Sequence, residues 1–179
     1  MKIITLALLL ITLASCSKKQ ADEIYKQNKV SLPFKLGNLV YDDTRSNVVA
    51  PEITLSVMPS KENQKTISPE LTDNLKNDNQ TIINNAFRGK NLTYDLVIVV
   101  NKGKKTLIKT WEETKEQIEV EITLELTNKE DQSMYKSTSL FDLEVEAPWV
   151  SDKHAQEMFE TAFKNALYLG LKKVQDELK

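Results

Sequence analysis

The chain has 179 residues, with 24 basic and 26 acidic side chains and a formal net charge of −2. That near-neutral charge removes the electrostatic case for a nucleic-acid partner, while 28% charged and 40% hydrophobic residues is the make-up of a folded domain. Four scattered glycines, one cysteine and one histidine provide neither a phosphate-cradling loop nor a zinc or iron–sulfur ligand set, so no cofactor and no metal are expected.

The N-terminus carries the most specific signal. Met1-Lys2 is a short positive region, and Ile3 to Leu13 is an apolar run broken only by Thr5 and Thr12. A bilayer core about 30 Å thick calls for roughly 20 apolar residues, so the run reads as an export signal rather than a permanent span. It ends in Leu13-Ala14-Ser15-Cys16, which resembles the lipobox of bacterial lipoproteins. The resemblance implies a diacylglyceryl group on the Cys16 thiol, cleavage just before that residue, and acylation of the freed amine. Residues 1–15 are then a signal peptide and the mature chain is held on the membrane through acylated Cys16, each buried methylene contributing about 0.8 kcal/mol. A plain secretory signal, or a cytosolic chain with an apolar start, are the alternatives. Ser17, where a retention signal would place Asp, favours the outer membrane, with the chain facing the periplasm. Residues 16–33 are polar, lack periodicity, end at Pro33 and read as a tether; residues 34–179 read as one domain.

Within that domain a short strand is expected over Leu36 to Tyr41, followed by a turn-rich loop from Asp42 to Asn47. Ile53, Leu55 and Val57 alternate with Thr54, Ser56 and Met58, predicting a half-buried strand stopped by Pro59. Ser68-Pro69-Glu70 predicts a helix start, with Ser68 as N-cap and Pro69 in the first position. Leu71, Leu75, Ile82, Ile83, Ala86 and Phe87 recur at helical spacing across a polar waist, Lys76 to Gln80, and Gly89 falls where a left-handed cap would end the helix.

From Leu92 the period changes to two. Leu96 to Val100 and Thr106 to Trp111 read as strands joined by a hairpin turn at Asn101-Lys102-Gly103-Lys104. Ile118, Val120, Ile122, Leu124 and Leu126 alternate with Glu119, Glu121, Thr123 and Glu125, the cleanest strand of the chain. A turn at Asn128 to Gln132 leads into a last strand containing Tyr135, Phe141, Leu143, Val145 and Ala147. Ser151 then caps a long helix whose stripe is Ala155, Met158, Phe159, Ala162, Phe163, Ala166, Leu169 and Gly170. The fold class expected is α+β, an antiparallel β-sheet meander with two helices packed on one face.

No catalytic constellation emerges, so the chain reads as non-enzymatic. His154, in the first turn of the last helix, has no partner acid or nucleophile in any nearby motif. Ser133-Met134-Tyr135-Lys136 matches SxxK, but it sits on a turn-to-strand edge and lacks the SDN and KTG elements that accompany it in penicillin-binding proteins. Glu112, Glu113, Glu116, Glu119, Glu121 and Glu125 read as the wet side of a sheet, neutralised by Lys102, Lys104, Lys105 and Lys109. Val97 and Val99 are different: they share the face that the glutamates mark as wet. They are either covered by Leu36 to Val49 or left as a surface for a partner or ligand. Trp149, at the strand–helix corner, is either a core plug or a binding aromatic.

The order of lipobox, tether, strand, capped helix, antiparallel strands and C-terminal helix resembles small α+β outer-membrane lipoproteins such as the lipopolysaccharide-assembly lipoprotein family. Cys16 together with the absence of any catalytic set points to a lipid-anchored envelope lipoprotein that binds or scaffolds another envelope component. The alternative is a periplasmic binding module for a lipid, glycan or other small hydrophobic ligand.

Overall fold

The computed structural model describes residues 23–27, 29–48, 63–109, 114–146 and 152–179. Cys16, Trp149, Ser151, Glu112, Glu113 and the strand expected at Ile53 to Met58 lie outside them. In chain order the elements are α1 (Ile24–Gln27), β1 (Leu32–Asp43), β2 (Asn63–Ile67), α2 (Asp73–Ala86), β3 (Phe87–Lys109), β4 (Thr114–Asn128), β5 (Met134–Glu146) and α3 (Asp152–Glu177). The architecture is α+β.

The five strands form one mixed sheet in the order β1-β3-β4-β5, with β2 paired to β3. Three pairings are antiparallel, but β1 runs parallel to β3, from Leu32 opposite Phe87 to Asp43 opposite Val100. The sheet is therefore not a strict meander. Parallel neighbours need a crossover, and α2 lies within the connection that supplies it.

The hairpin expected at Asn101 to Lys104 is absent. β3 continues through these residues and pairs with β4 from Tyr94 opposite Asn128 to Lys109 opposite Thr114. A single register shift between Val100 and Lys102 takes the place of the turn, and Gly103 keeps a negative φ. The extra residue exchanges the two faces of β3. Before it, Leu96, Ile98 and Val100 point into the core; after it, Gly103, Lys105 and Leu107 do. Along the edge of β3 away from β4, β1 occupies the stretch before this bulge and β2 the stretch after it.

The helix read as starting at Ser68 begins one turn later. Thr72 is its N-cap, with extended backbone (φ −64°, ψ 155°) and a side-chain oxygen accepting from the Leu75 N–H at 3.2 Å. Pro69 instead turns its carbonyl toward Arg45, whose Nη1 donates to it at 2.9 Å. At the other end there is no glycine cap: Phe87 closes the helix by donating its N–H to the Ile83 carbonyl and is already the first residue of β3. Gly89 is a strand residue without positive φ.

The core lies between the sheet and the helices. Leu96, Ile98, Ile118, Val120, Ile122, Leu124 and Leu126 face Phe159, Ala162, Phe163 and Ala166 of α3, with Leu75 and Ile83 of α2 alongside. The expected α3 stripe is buried except Leu169, which is only partly so, and the buried surface is wider than one stripe because Leu167, Leu171 and Val174 are covered too. Close approach is aided by Gly170, where an added Cβ would stand 2.8 Å from Leu124 Cδ1. Ser139 Oγ donates to the Ala166 carbonyl at 2.7 Å across the same contact.

The reading of residues 16–33 as a tether is corrected over its second half. Val30 and Leu32 belong to the buried core, and the Ser31 N–H donates to Gln175 Oε1 of α3 at 3.1 Å. Val30, Leu32 and Phe34 alternate with exposed Ser31 and Pro33 at the strand period, and the burial of Val30 and Leu32 follows it; Ile24 and Tyr25 follow no such spacing.

Arg45 pins the segment after β1. Its side chain is only 5% exposed, pairs with Asp43 at 2.6 Å, donates to the Pro69 carbonyl and lies 5.4 Å from the centroid of the Phe159 ring. The hydrogen bond from Arg45 holds the Asp43 carboxyl below its ordinary 3.8. The pair's contribution is thus full above the unfolded-state value, and is lost as the pH falls through the lower native one. Asp43→Asn should remove that part of the acid dependence. Thermal midpoints measured from pH 6 down to pH 2 should fall less steeply in the variant than in the parent.

Candidate functional site

Two surfaces can be built from the residues upward. The first is the face of the sheet opposite the helices. Across β1, β3, β4 and β5 one row reads Val40, Val97, Glu125, Lys136 and the next Asp42, Val99, Thr123, Thr138. Val97 and Val99 are both partly buried, and neighbouring Val40 is 50% exposed. Of the segment Leu36 to Val49, a cover for these valines in one of the two alternatives, residues Leu36 to Asp43 instead continue the sheet as edge strand β1. They extend this face in plane rather than lying over it. Leu36, Leu39 and Tyr41 pack against the core on the other side.

The charges on this face are largely matched. Lys102 Nζ lies 3.1 Å from Glu119 and 3.4 Å from Glu121, and Lys136 lies 2.7 Å from Glu125. Hydrogen bonding and attraction from Glu119 and Glu121 raise the Lys102 pKa. Asn101 Nδ2 donates to Thr123 Oγ1 at 2.8 Å, and Thr123 shares a second bond with Thr138 at 2.9 Å. This answers the SxxK match as well: Ser133 belongs to the β4–β5 turn and Lys136 is paired with Glu125 across the sheet.

Lys105 and Glu116 leave the wet face altogether. They form an ion pair at 3.0 Å with side chains 1% and 0% exposed, on the helix-covered side. For Glu116 simple alternation with Ile118 and Val120 already implies this. For Lys105 the cause is the β3 bulge, which reverses the parity that its sequence position suggests.

The second surface is a cleft of about 360 Å³ between α1, the end of α2, the start of β3, and α3. Val30, Ala86, Tyr168 and Leu171 are its buried residues, with Ile82 partly buried beside them. Lys26, Lys29 and Arg88 are exposed around it. Lys26 Nζ pairs with Glu23 at 2.6 Å, and that bond is the main cause holding the Glu23 carboxyl below its ordinary value. Arg88 donates from Nε to the Asn85 carbonyl at 2.8 Å. Burial, reinforced by the hydrogen bond to Glu23, pushes the Tyr25 phenol up to about 12, so it stays a neutral donor.

Sequence reasoning missed this cleft. Its residues come from positions 25–30, 82–88 and 168–171, and two of its cations lie in the stretch read as a tether. Among the described residues no group of three or more His, Cys, Asp or Glu side chains could hold a metal ion. None of the described helices is long and apolar enough to cross a membrane. His154 falls in the first turn of α3, as expected.

No protein-family model matches the chain, and no curated protein matches it. Among solved structures, the chain is similar to protein XCC0632 from Xanthomonas campestris, of the family DUF330. Identity is 15%, over 84% of this chain and 89% of that one, with a TM-score of 0.45. It is also similar to a protein from Caulobacter crescentus CB15 described as a candidate lipoprotein. Identity there is 12%, over 58% of this chain and 76% of that one, with a TM-score of 0.36.

Proposed function

We propose that this chain is a lipid-anchored envelope lipoprotein that binds or scaffolds another envelope component without catalysing a reaction, on the outer membrane and facing the periplasm. The observation that carries the reading is Leu13-Ala14-Ser15-Cys16 at the end of an apolar run too short to span a bilayer. The fold is compatible with it. The first described residue, Glu23, lies seven positions after Cys16; at 3.3–3.6 Å per residue the connection reaches about 25 Å at most. An anchored domain would be held close to the headgroups, with the sheet face of Val97 and Val99 as the surface for a partner.

Labelling with palmitate is expected to mark the wild-type chain and not Cys16→Ser. An unlabelled wild type would refute the anchor. Crosslinking followed by pull-down should recover an envelope protein above background.

A second reading is favoured by the cleft: its mixed apolar and cationic lining suits a small hydrophobic ligand with an anionic end. Native mass spectrometry of chain purified from its own envelope would then show a co-purifying small molecule, and a clean apo mass would count against it.

A further inference from the structure

The cleft and the place where the chain enters the fold are next to each other. Tyr25 and Lys26 of α1 line the cleft, and α1 begins eight positions after Cys16. Whatever holds Cys16 therefore lies within about 29 Å of this cleft when the connection is fully extended, and nearer when it is not. If Cys16 is acylated, as the preceding reading requires, a bilayer surface lies within that reach.

The charge distribution agrees with such a neighbour. The chain as a whole is near neutral, with a formal charge of −2, yet Lys26, Lys29 and Arg88 line one opening, with Glu23 as the acid paired to one of them. Below them the lining turns apolar at Val30, Ile82 and Leu171. A soluble inorganic anion would use the cations and leave that floor wet. A phospholipid matches both parts, its phosphate among the cations and the start of its acyl chains on the apolar residues.

We propose that this cleft is a docking site for the headgroup of an anionic phospholipid in the membrane that carries the chain, so that the opening between α1, α2 and β3 faces the bilayer and the sheet face of Val97 and Val99 is turned away from it. The inference rests on the lipid-anchor reading for its geometry, and the cleft's charge preference can be measured without the anchor.

The test uses the full chain with Cys16→Ser, mixed with vesicles of phosphatidylcholine alone or with one part in three of phosphatidylglycerol. The apolar run from Ile3 to Leu13 and the flanking Lys2, Lys18 and Lys19 are common to parent and cleft variant, so the difference between the two proteins in their anionic-to-neutral ratio isolates the cleft. A basic residue at an anionic surface is worth about a fivefold change in partition, so Lys29→Gln/Arg88→Gln should lower binding to the anionic vesicles by about 25-fold and leave binding to the neutral ones unchanged. The preference should also weaken with added salt. Both positions are exposed, and circular dichroism should show an unchanged fold.

In a second arm the acylated wild-type chain is reconstituted in the anionic vesicles with a photo-reactive headgroup. Crosslinks are expected within residues 25–30 and 85–88. Equal binding to both vesicle types, an unaffected double variant, crosslinks confined to β4 and β5, or displacement by inorganic phosphate at matched ionic strength would each overturn the proposal. Loss of palmitate labelling at Cys16 would remove the anchor reading, and the first arm would still decide the cleft.

Discussion

Glu116→Leu is expected to lower the free energy of unfolding by about 3–5 kcal/mol, although the new side chain matches its apolar neighbours better. Glu116 and its partner Lys105 are both covered, 3.0 Å apart, on the side of the sheet that packs on the helices. Removing one member leaves the other charge in a low-dielectric setting, where desolvation is costly. Lys105→Met should cost a similar amount. The double variant Lys105→Met/Glu116→Leu should recover to within about 1 kcal/mol of the parent, or exceed it, because neither buried charge of the pair remains to be desolvated. Chemical denaturation of the four proteins, read as a double-mutant cycle, checks this. Additive single losses would show that the two side chains are not coupled. Burial also makes the pair far less sensitive to salt than Lys102 with Glu119 and Glu121 on the exposed face.

Gly89→Ala is expected to cost about 3 kcal/mol or more, the upper end of over-packing. A Cβ at Gly89 would collide with the Pro33 carbonyl and the Phe34 amide, and all the nearest atoms are backbone. No rotamer change can relieve the contact. β1 would have to move away from β3 at the register shift between Leu32 and Phe34, and these two side chains are buried in the core at 0% and 4% exposure. Gly170→Ala makes the useful contrast. Its nearest atoms belong to the Leu124 and Ser139 side chains, and alanine's helix propensity offsets part of the strain. A thermal-melt comparison of the two variants should place Gly89→Ala well below Gly170→Ala. A near-native midpoint for Gly89→Ala would mean that β1 does not approach β3 as described.

These effects share a cause with the points where pattern and fold part company. Gly89, followed by strand-like periodicity and preceded by an amphipathic helix, looks like a cap. It is needed instead because a parallel neighbour, 56 positions earlier in the chain at Pro33, runs against it. Asn101-Lys102-Gly103-Lys104 has the composition of a turn, but β4 offers an unbroken partner along the whole length of β3, so a bulge is enough. Lys105 reads as a solvent lysine until that bulge reverses its face. Ser68 and Pro69 have good starting chemistry for a helix, yet the Pro69 carbonyl is taken by Arg45, and Thr72 caps α2 a turn further on.

The sequence by itself determined the class of fold, the alternation of β4, the β4–β5 turn at Asn128, the buried stripe of the last helix and the separation of Glu119, Glu121 and Glu125 onto a wet face. Each of these depends on neighbours within one or two periods of the chain, where side-chain spacing and local hydrogen bonding are sufficient. Only the tertiary structure decided the parallel pairing of β1, the docking of residues 24–32, the buried Lys105–Glu116 pair and the cleft ringed by Lys26, Lys29 and Arg88. Those join residues tens of positions apart. Their energies come from burial and charge proximity after the chain has closed on itself, which no local period records.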